Sequence, residues 1–176
     1  MARAGKHDGD FDKRLKGESP MFQYTICFIR KGGNILLLNR ATAPWMGVWN
    51  GVGGKIEPGE TPHRSVMREV AEETGIALPS VLDKGVVTWT VDGEPRGGMH
   101  IFVAELPQHI DYPTPKPTEE GILDWKPVDW VLHPENKGVA HNIPYFLPKL
   151  LYDPLRYDHR CTFVNDRLVA VESVVI

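Results

Sequence analysis

Two short apolar runs, residues 24–29 and 35–38, flank the polar tetrad Lys31-Gly32-Gly33-Asn34. Runs of that length bounded by turn residues predict a β-hairpin. A loop with Pro44 and Trp45 follows over residues 41–47, and residues 49–54 are rich in glycine. The spacing then changes to a helical one. Val66, Met67 and Val70 recur on one stripe between Thr61-Pro62 and Gly75, which predicts a helix over 61–74. Thr61 suits the N-cap, Pro62 the first helical position and Gly75 the C-terminal stop.

Further strands are predicted around 84–91 and 99–105. Residues 107–118 hold four prolines and predict a loop. Residues 122–130 predict a strand running into a turn. A second helix is predicted over 142–152, with Pro144 near its start and Pro148 working against its middle. Two apolar runs, 161–164 and 168–171, surround Asn165-Asp166 and predict a closing hairpin. Strands precede and follow each helix, so the pattern predicts an α/β fold with a mixed sheet over residues 21–176. Residues 1–20 alternate charge with small residues and predict a mobile arm.

Length and charge narrow the function. A chain of 176 residues is sized for one domain. A net charge of −3 argues against a polybasic membrane binder or a nucleic-acid polymer as partner. No apolar run reaches the roughly 20 residues of a membrane span. The N-terminus has no apolar core of the kind a secretory signal needs, so a cytoplasmic protein is expected. Cys27 and Cys161 sit in apolar stretches with no metal spacing and read as small buried hydrophobes.

The chemistry concentrates on the predicted 61–74 helix. Glu69, Glu72 and Glu73 are spaced i, i+3 and i+4, which puts three carboxylates on one face. Like charges at that spacing destabilise a helix by roughly 0.2–0.5 kcal/mol per pair. Two readings follow. The face is solvated, as acidic helix faces commonly are, or a hard divalent cation offsets the repulsion.

The wider spacing favours the second reading. In full, Gly54-x₅-Glu60-x₇-Arg68-Glu69-Val70-x-Glu72-Glu73-x-Gly75-Ile76 resembles the signature box of the Nudix hydrolases at every specified position. A chance match has a probability on the order of 10⁻⁷ over the chain. The resemblance implies the Nudix fold, a mixed β-sheet sandwiched between α-helices. It also implies an enzyme that cleaves a nucleoside diphosphate linked to another group, using Mg²⁺ or Mn²⁺. Carried over residue by residue, Glu69 and Glu73 would be the main metal ligands. Glu72 would bind a further ion or share the general-base role, and the Gly53 carbonyl would add a ligand. Glu60 and Arg68 would pair to hold the helix, with Gly54 and Gly75 completing the box.

The segment Trp49-Asn50-Gly51-Val52-Gly53-Gly54-Lys55 is similar to the MutT-type branch, especially the enzymes that hydrolyse oxidised purine nucleoside triphosphates. That branch implies Thr25 and Asn50 as pocket residues, Trp89 as an aromatic against the base, and Glu120 as a carboxylate outside the box that supports the metal or base. It also implies that residues 144–148 close the pocket. Each position has a plainer role open to it. Asn50 can make a turn, Thr25 can be an ordinary strand residue, and Trp45, Trp89 and Trp125 can be core or rim. Glu119 and Glu120 can be surface charge. The branch carries two adjacent aspartates where this chain has His141-Asn142-Ile143, so Asn142 is the candidate base contact and the base preference is open.

The expected activity is Mg²⁺-dependent hydrolysis of nucleoside triphosphates, including oxidised purines such as 8-oxo-dGTP, to monophosphate and pyrophosphate. Two alternatives are an ADP-ribose or related pyrophosphatase and a non-catalytic nucleotide sensor. The intact box argues against the sensor. The sequence leaves monomer and homodimer open.

Overall fold

The computed structural model describes residues 22–176. The arm anticipated over residues 1–20 lies outside them. Nine strands and three helices are described, in the order β1 (Phe22–Lys31), β2 (Asn34–Arg40), β3 (Trp49–Asn50), α1 (Pro62–Thr74), β4 (Leu82–Val91), β5 (Glu94–Glu105), β6 (Lys116–Pro117), β7 (Gly121–Pro127), α2 (Val128–Leu132), α3 (Ile143–Tyr152), β8 (Tyr157–Val164) and β9 (Arg167–Val175). The strands form one sheet in the order β6-β7-β2-β1-β5-β4-β8-β9, with β3 beside β2. β1 runs parallel to β5 and β4 parallel to β8, while the other pairs are antiparallel. The sheet is therefore mixed, as expected.

Alternation along β1 explains the layers. Ile26 and Phe28 join a core that α2 and α3 cover, with Val131, Phe146 and Leu147. Cys27 and Ile29 join a second core on the opposite face, where α1 contributes Val66 and Val70. A strand whose successive side chains alternate faces supplies both cores at once. Each large apolar side chain removed from water contributes roughly 1.5–3 kcal/mol. Cys27 and Cys161 are buried free thiols, as expected.

The ends of α1 follow the sequence. Thr61 Oγ1 accepts from the Arg64 N–H at 3.2 Å. Gly75, at φ 76°, donates its N–H to the Ala71 carbonyl. Asn165 and Asp166 both have positive φ, 47° and 60°, and close the β8–β9 hairpin.

Three details differ from the sequence pattern. Lys116–Pro117 forms a short strand against β7 within the expected loop. The turn expected after β7 is the helix α2, whose Val128 and Val131 are buried. Pro148 lies inside α3 without ending it. Ile143, Phe146, Leu147 and Leu150 bury one face of that helix, and this packing outweighs the lost backbone hydrogen bond. Among the described residues, no helix is long and apolar enough to cross a membrane.

Candidate functional site

The glycine-rich segment docks on β1. Thr25 donates its N–H to the Gly54 carbonyl at 2.9 Å, and Cys27 and Val52 exchange hydrogen bonds at 2.7 and 3.1 Å. Close approach requires the missing side chains. A Cβ at Gly53 would lie 2.2 Å from the Thr25 carbonyl oxygen, and one at Gly54 would lie 2.4 Å from the Glu69 carboxyl group. The Gly53 N–H donates to Glu73 Oε2 at 3.0 Å. Loop and helix therefore meet at two glutamates of the box.

Arg68 organises the rest. Its Nε and one terminal nitrogen grip both oxygens of Glu60, at 3.0 and 2.9 Å. Its other terminal nitrogen bonds Glu69 at 2.8 Å and Glu72 at 3.1 Å. The Arg68 guanidinium also donates to the Lys55 carbonyl at 3.1 Å. A planar fork of donors is suited to this work, where a single ammonium is not. The Arg68 hydrogen bond is the main cause that holds the Glu60 carboxyl down at about 2.

Glu73 behaves in the opposite way. Burial is the first cause that pushes its carboxyl up to about 7, against the pull of the Gly53 N–H. The charges of Glu69 and Glu120 push it further, and Arg40 opposes them. The charge of Glu69 on the helix and that of Glu120 in the turn before β7 thus both bear on Glu73. Glu120 is held there by its main chain, whose carbonyl accepts from the Ala41 N–H at 2.9 Å. Arg40 had no signal in the box; its only mark in the sequence is that it ends an apolar strand ahead of the 41–47 loop.

The acidic set is not preassembled as a coordination shell. Among the described residues, no three acidic, histidine or cysteine side chains already stand together in a cation-holding cluster. The reason is visible in the hydrogen bonds. Glu69 and Glu72 are drawn to Arg68, and Glu73 is drawn to the Gly53 N–H. The donor chemistry nonetheless fits a hard divalent cation, which takes carboxylate oxygens and relieves the repulsion between them.

The expected base contacts divide between the faces of the sheet. Trp89 in β4 pairs with Cys161 in β8. Asn142 Nδ2 approaches the Cys161 sulfur at 3.8 Å. These three meet on the side covered by α3. Asn50 lies in β3 at the edge of that region. Trp49 beside it accepts from the Ala140 N–H at 3.0 Å, in the segment that leads to Asn142. The Asn50 side chain accepts from the Gly51 N–H at 2.9 Å. Thr25 alternates with Ile26 and so turns its side chain towards α1, away from Trp89. It is 3% exposed, and its hydroxyl has no hydrogen-bond partner among the described residues. Across the mouth, the Trp45 ring meets His141 edge-on at 6.3 Å.

A loop, a helix and a turn thus bring the charges of Glu69 and Glu120 to bear on Glu73, and the α3 side of the sheet carries the half-buried Trp89 and Asn142. Comparison with known proteins assigns the class. The family model for the NUDIX domain matches residues 22–150. The uncharacterized Nudix hydrolase YvcI of Bacillus subtilis is 32% identical over 153 residues, which cover 82% of this chain and 92% of that protein. The mouse oxidized purine nucleoside triphosphate hydrolase is 30% identical over 109 residues, covering 61% of this chain and 67% of that protein. The crystal structure of the MutT protein from Bacillus halodurans superposes with a TM-score of 0.68 at 25% identity, covering 85% of this chain and 95% of that one. The chain belongs to the Nudix hydrolase family.

Proposed function

We propose that this enzyme hydrolyses nucleoside triphosphates, oxidised purines among them, to a nucleoside monophosphate and pyrophosphate. The observation that carries the reading is the Glu73 carboxyl, pushed up to about 7 by burial and by the charges of Glu69 and Glu120. Arg68 pairs with Glu69 and Glu72, but Glu73 forms no ion pair among the described residues and lies under the charges of Glu69 and Glu120, which suits a divalent cation and the phosphates it brings. Glu69, Glu73 and Glu120 would hold Mg²⁺ or Mn²⁺, with Glu72 reaching in from the rim. The Gly53 N–H already holds Glu73, and the carbonyl of the same residue would add a ligand. Bound there, the cation would neutralise charge on the phosphates and acidify a water.

The chain's own groups do the rest. Arg68, held by Glu60, fixes the helix, and its bond to Glu69 would give way if that carboxylate turned to a bound cation. A glutamate of the set takes the proton from the attacking water, whose oxygen bonds to phosphorus as the bridging P–O bond to pyrophosphate breaks. Arg40 supplies a positive charge beside the acidic set and suits a phosphate oxygen. At the other end, Trp89 offers a face for the base, and Asn142 and Asn50 offer amides to its edge. Thr25 serves through its main chain, which holds Gly54. The activity named for the mouse relative supports the oxidised-purine preference.

The test is a product assay with Mg²⁺ on 8-oxo-dGTP, dGTP, 2-hydroxy-dATP and ADP-ribose in parallel, with Glu73→Gln as the blank. The reading expects monophosphate and pyrophosphate, fastest from an oxidised purine. Cleavage of ADP-ribose alone would replace it with the dinucleotide pyrophosphatase reading. No product from any of the four would leave the sensor reading.

A further inference from the structure

At the end of the sheet opposite the box, a cavity of ≈ 420 Å³ opens between β4, the end of β5 and the C-terminus of α3. Leu82, Val103, Leu150 and Tyr152 form its apolar wall, and Lys84 and Glu105 border it. Lys84 is the unusual member. It is 2% exposed, among the largest fully buried side chains beside Phe28 and Ile29. Its ammonium donates to the main-chain carbonyl of Asp153, the C-cap of α3.

Capping a helix in this way uses one of three N–H donors. No carboxylate of the described residues forms an ion pair with Lys84, because the nearby acids are engaged elsewhere. The Asp153 carboxylate accepts from the Tyr157 hydroxyl at 2.7 Å and from the Leu155 N–H at 2.9 Å. Glu105 is drawn to Arg30 at 3.6 Å. The Asp153 carboxylate acts on Lys84 through its charge but makes no salt bridge with it, and a buried ammonium ordinarily gains more direct polar partners than one carbonyl. Meanwhile Leu82 and Tyr152 leave 59% and 63% of their surfaces exposed at the rim. The cavity volume is within the range typical of small-molecule sites.

We propose that this cavity binds a small carboxylate with an apolar body, its carboxylate on Lys84 and its hydrocarbon or aromatic part against Leu82, Leu150 and Tyr152. Two carboxylate oxygens match the two donors that capping leaves on Lys84. A phosphate would bring more acceptors and more charge than one ammonium can satisfy, and the next cation, Arg30, is already paired with Glu105 and stacked over Tyr152. The site is separate from the acidic box, although α3 connects the two regions, beginning at Asn142 and ending at this cavity.

Titration calorimetry of the full chain with hexanoate, 1-hexanol and hexylammonium tests the proposal, with amide chemical shifts to locate the ligand. Hexanoate is expected to bind saturably and at least tenfold more tightly than hexanol, shifting amides of residues 82–84 and 150–155, while hexylammonium does not bind. Lys84→Met, which keeps bulk and loses charge, is expected to lose at least tenfold in hexanoate affinity. Leu82→Glu changes an exposed rim position and sets a like charge against the ligand, so it carries the test if Lys84→Met fails to fold. Absence of saturable binding, equal binding of hexanol, shifts confined to another region, or full affinity in Leu82→Glu would overturn the assignment.

Discussion

Gly54 and Glu69 are in such close contact that a single added methyl group at Gly54 would lie 2.4 Å from the Glu69 carboxyl. The obstacle is the far end of a flexible side chain, which can move aside. Gly53 is different, because its added methyl would meet the Thr25 carbonyl oxygen at 2.2 Å, and that is backbone. The two neighbouring glycines therefore predict different defects. Gly54→Ala is expected to fold with little loss of thermal stability but to displace Glu69, lowering kcat/KM on the order of 10²-fold. Gly53→Ala is expected to destabilise the fold by about 1–3 kcal/mol. Thermal denaturation beside turnover of the preferred nucleotide separates them, and equal stability of the two variants would contradict the assignment.

Glu73→Gln isolates the charge of the buried carboxyl. The amide oxygen can still accept from the Gly53 N–H, so the loop contact survives. What disappears is an acid that burial and two neighbouring carboxylates disfavour as an anion. Without metal, the variant is expected to melt no lower than the parent at pH 8, where the parent carries that unfavourable charge. Mg²⁺ is expected to raise the melting temperature of the parent and to lose most of that effect in the variant, while turnover is abolished. Differential scanning calorimetry with and without Mg²⁺ reads both. An unfolded variant would instead give Glu73 a structural role.

Much of this site was legible because its parts are local in sequence. The Thr61 cap, the Gly75 stop, the Val66 and Val70 stripe and the spacing of Glu60, Arg68, Glu69 and Glu73 are all set within one helix and its approach. Residues brought in by the sheet were harder to place. The effect of Arg40 on Glu73 depends on how β2 and its following loop pass the helix. The side on which Thr25 points depends on the phase of alternation along β1, which Ile26 and Cys27 fix only once the two cores are known. The predicted 142–152 helix is present, and the Pro148 that works against its middle is tolerated because Phe146, Leu147 and Leu150 pack the helix into the core. Lys84 carried no signal at all, because nothing in its neighbours foretells burial of its ammonium at the end of a distant helix.

Arg68 joins Glu60, Glu69 and Glu72 through one guanidinium, so replacing it with lysine is a severe change. Lysine keeps the charge but cannot grip both oxygens of Glu60 and also reach Glu69. Arg68→Lys is expected to lower thermal stability and to reduce kcat by tens of fold through misplacement of the helix. Arg68→Gln is expected to be worse on both measures, since it also leaves Glu60 without its cation. Melting curves and steady-state kinetics on the two variants give the ranking. Activity in Arg68→Lys equal to the parent would mean that the charge alone matters.

His159 sets a separate pH dependence, remote from the chemistry. Its ring is fully buried between Phe146 and Tyr157, at centroid distances of 5.1 and 5.5 Å. Nδ1 meets the Ser173 hydroxyl at 2.8 Å, while Nε2 has no partner among the described residues. Burial first, with Lys149 and Lys84 adding to it and Asp158 opposing, lowers the imidazole to about 4. The unfolded chain therefore takes up the proton at higher pH than the folded one. Stability attributable to the neutral ring is complete above about 6.5, falls as the pH drops from there towards 4, and is fully lost below 4. That difference corresponds to a ceiling of about 3 kcal/mol. Glu73 runs the other way between pH 7 and its ordinary range, so the parent alone mixes two opposed slopes. The comparison that separates them is His159→Phe, which keeps an aromatic ring in the stack and removes the proton site. Urea denaturation of parent and variant at pH 7, 5.5 and 4 is expected to show the variant gaining on the parent as the pH falls. A constant difference across the three would mean that His159 does not titrate in this range.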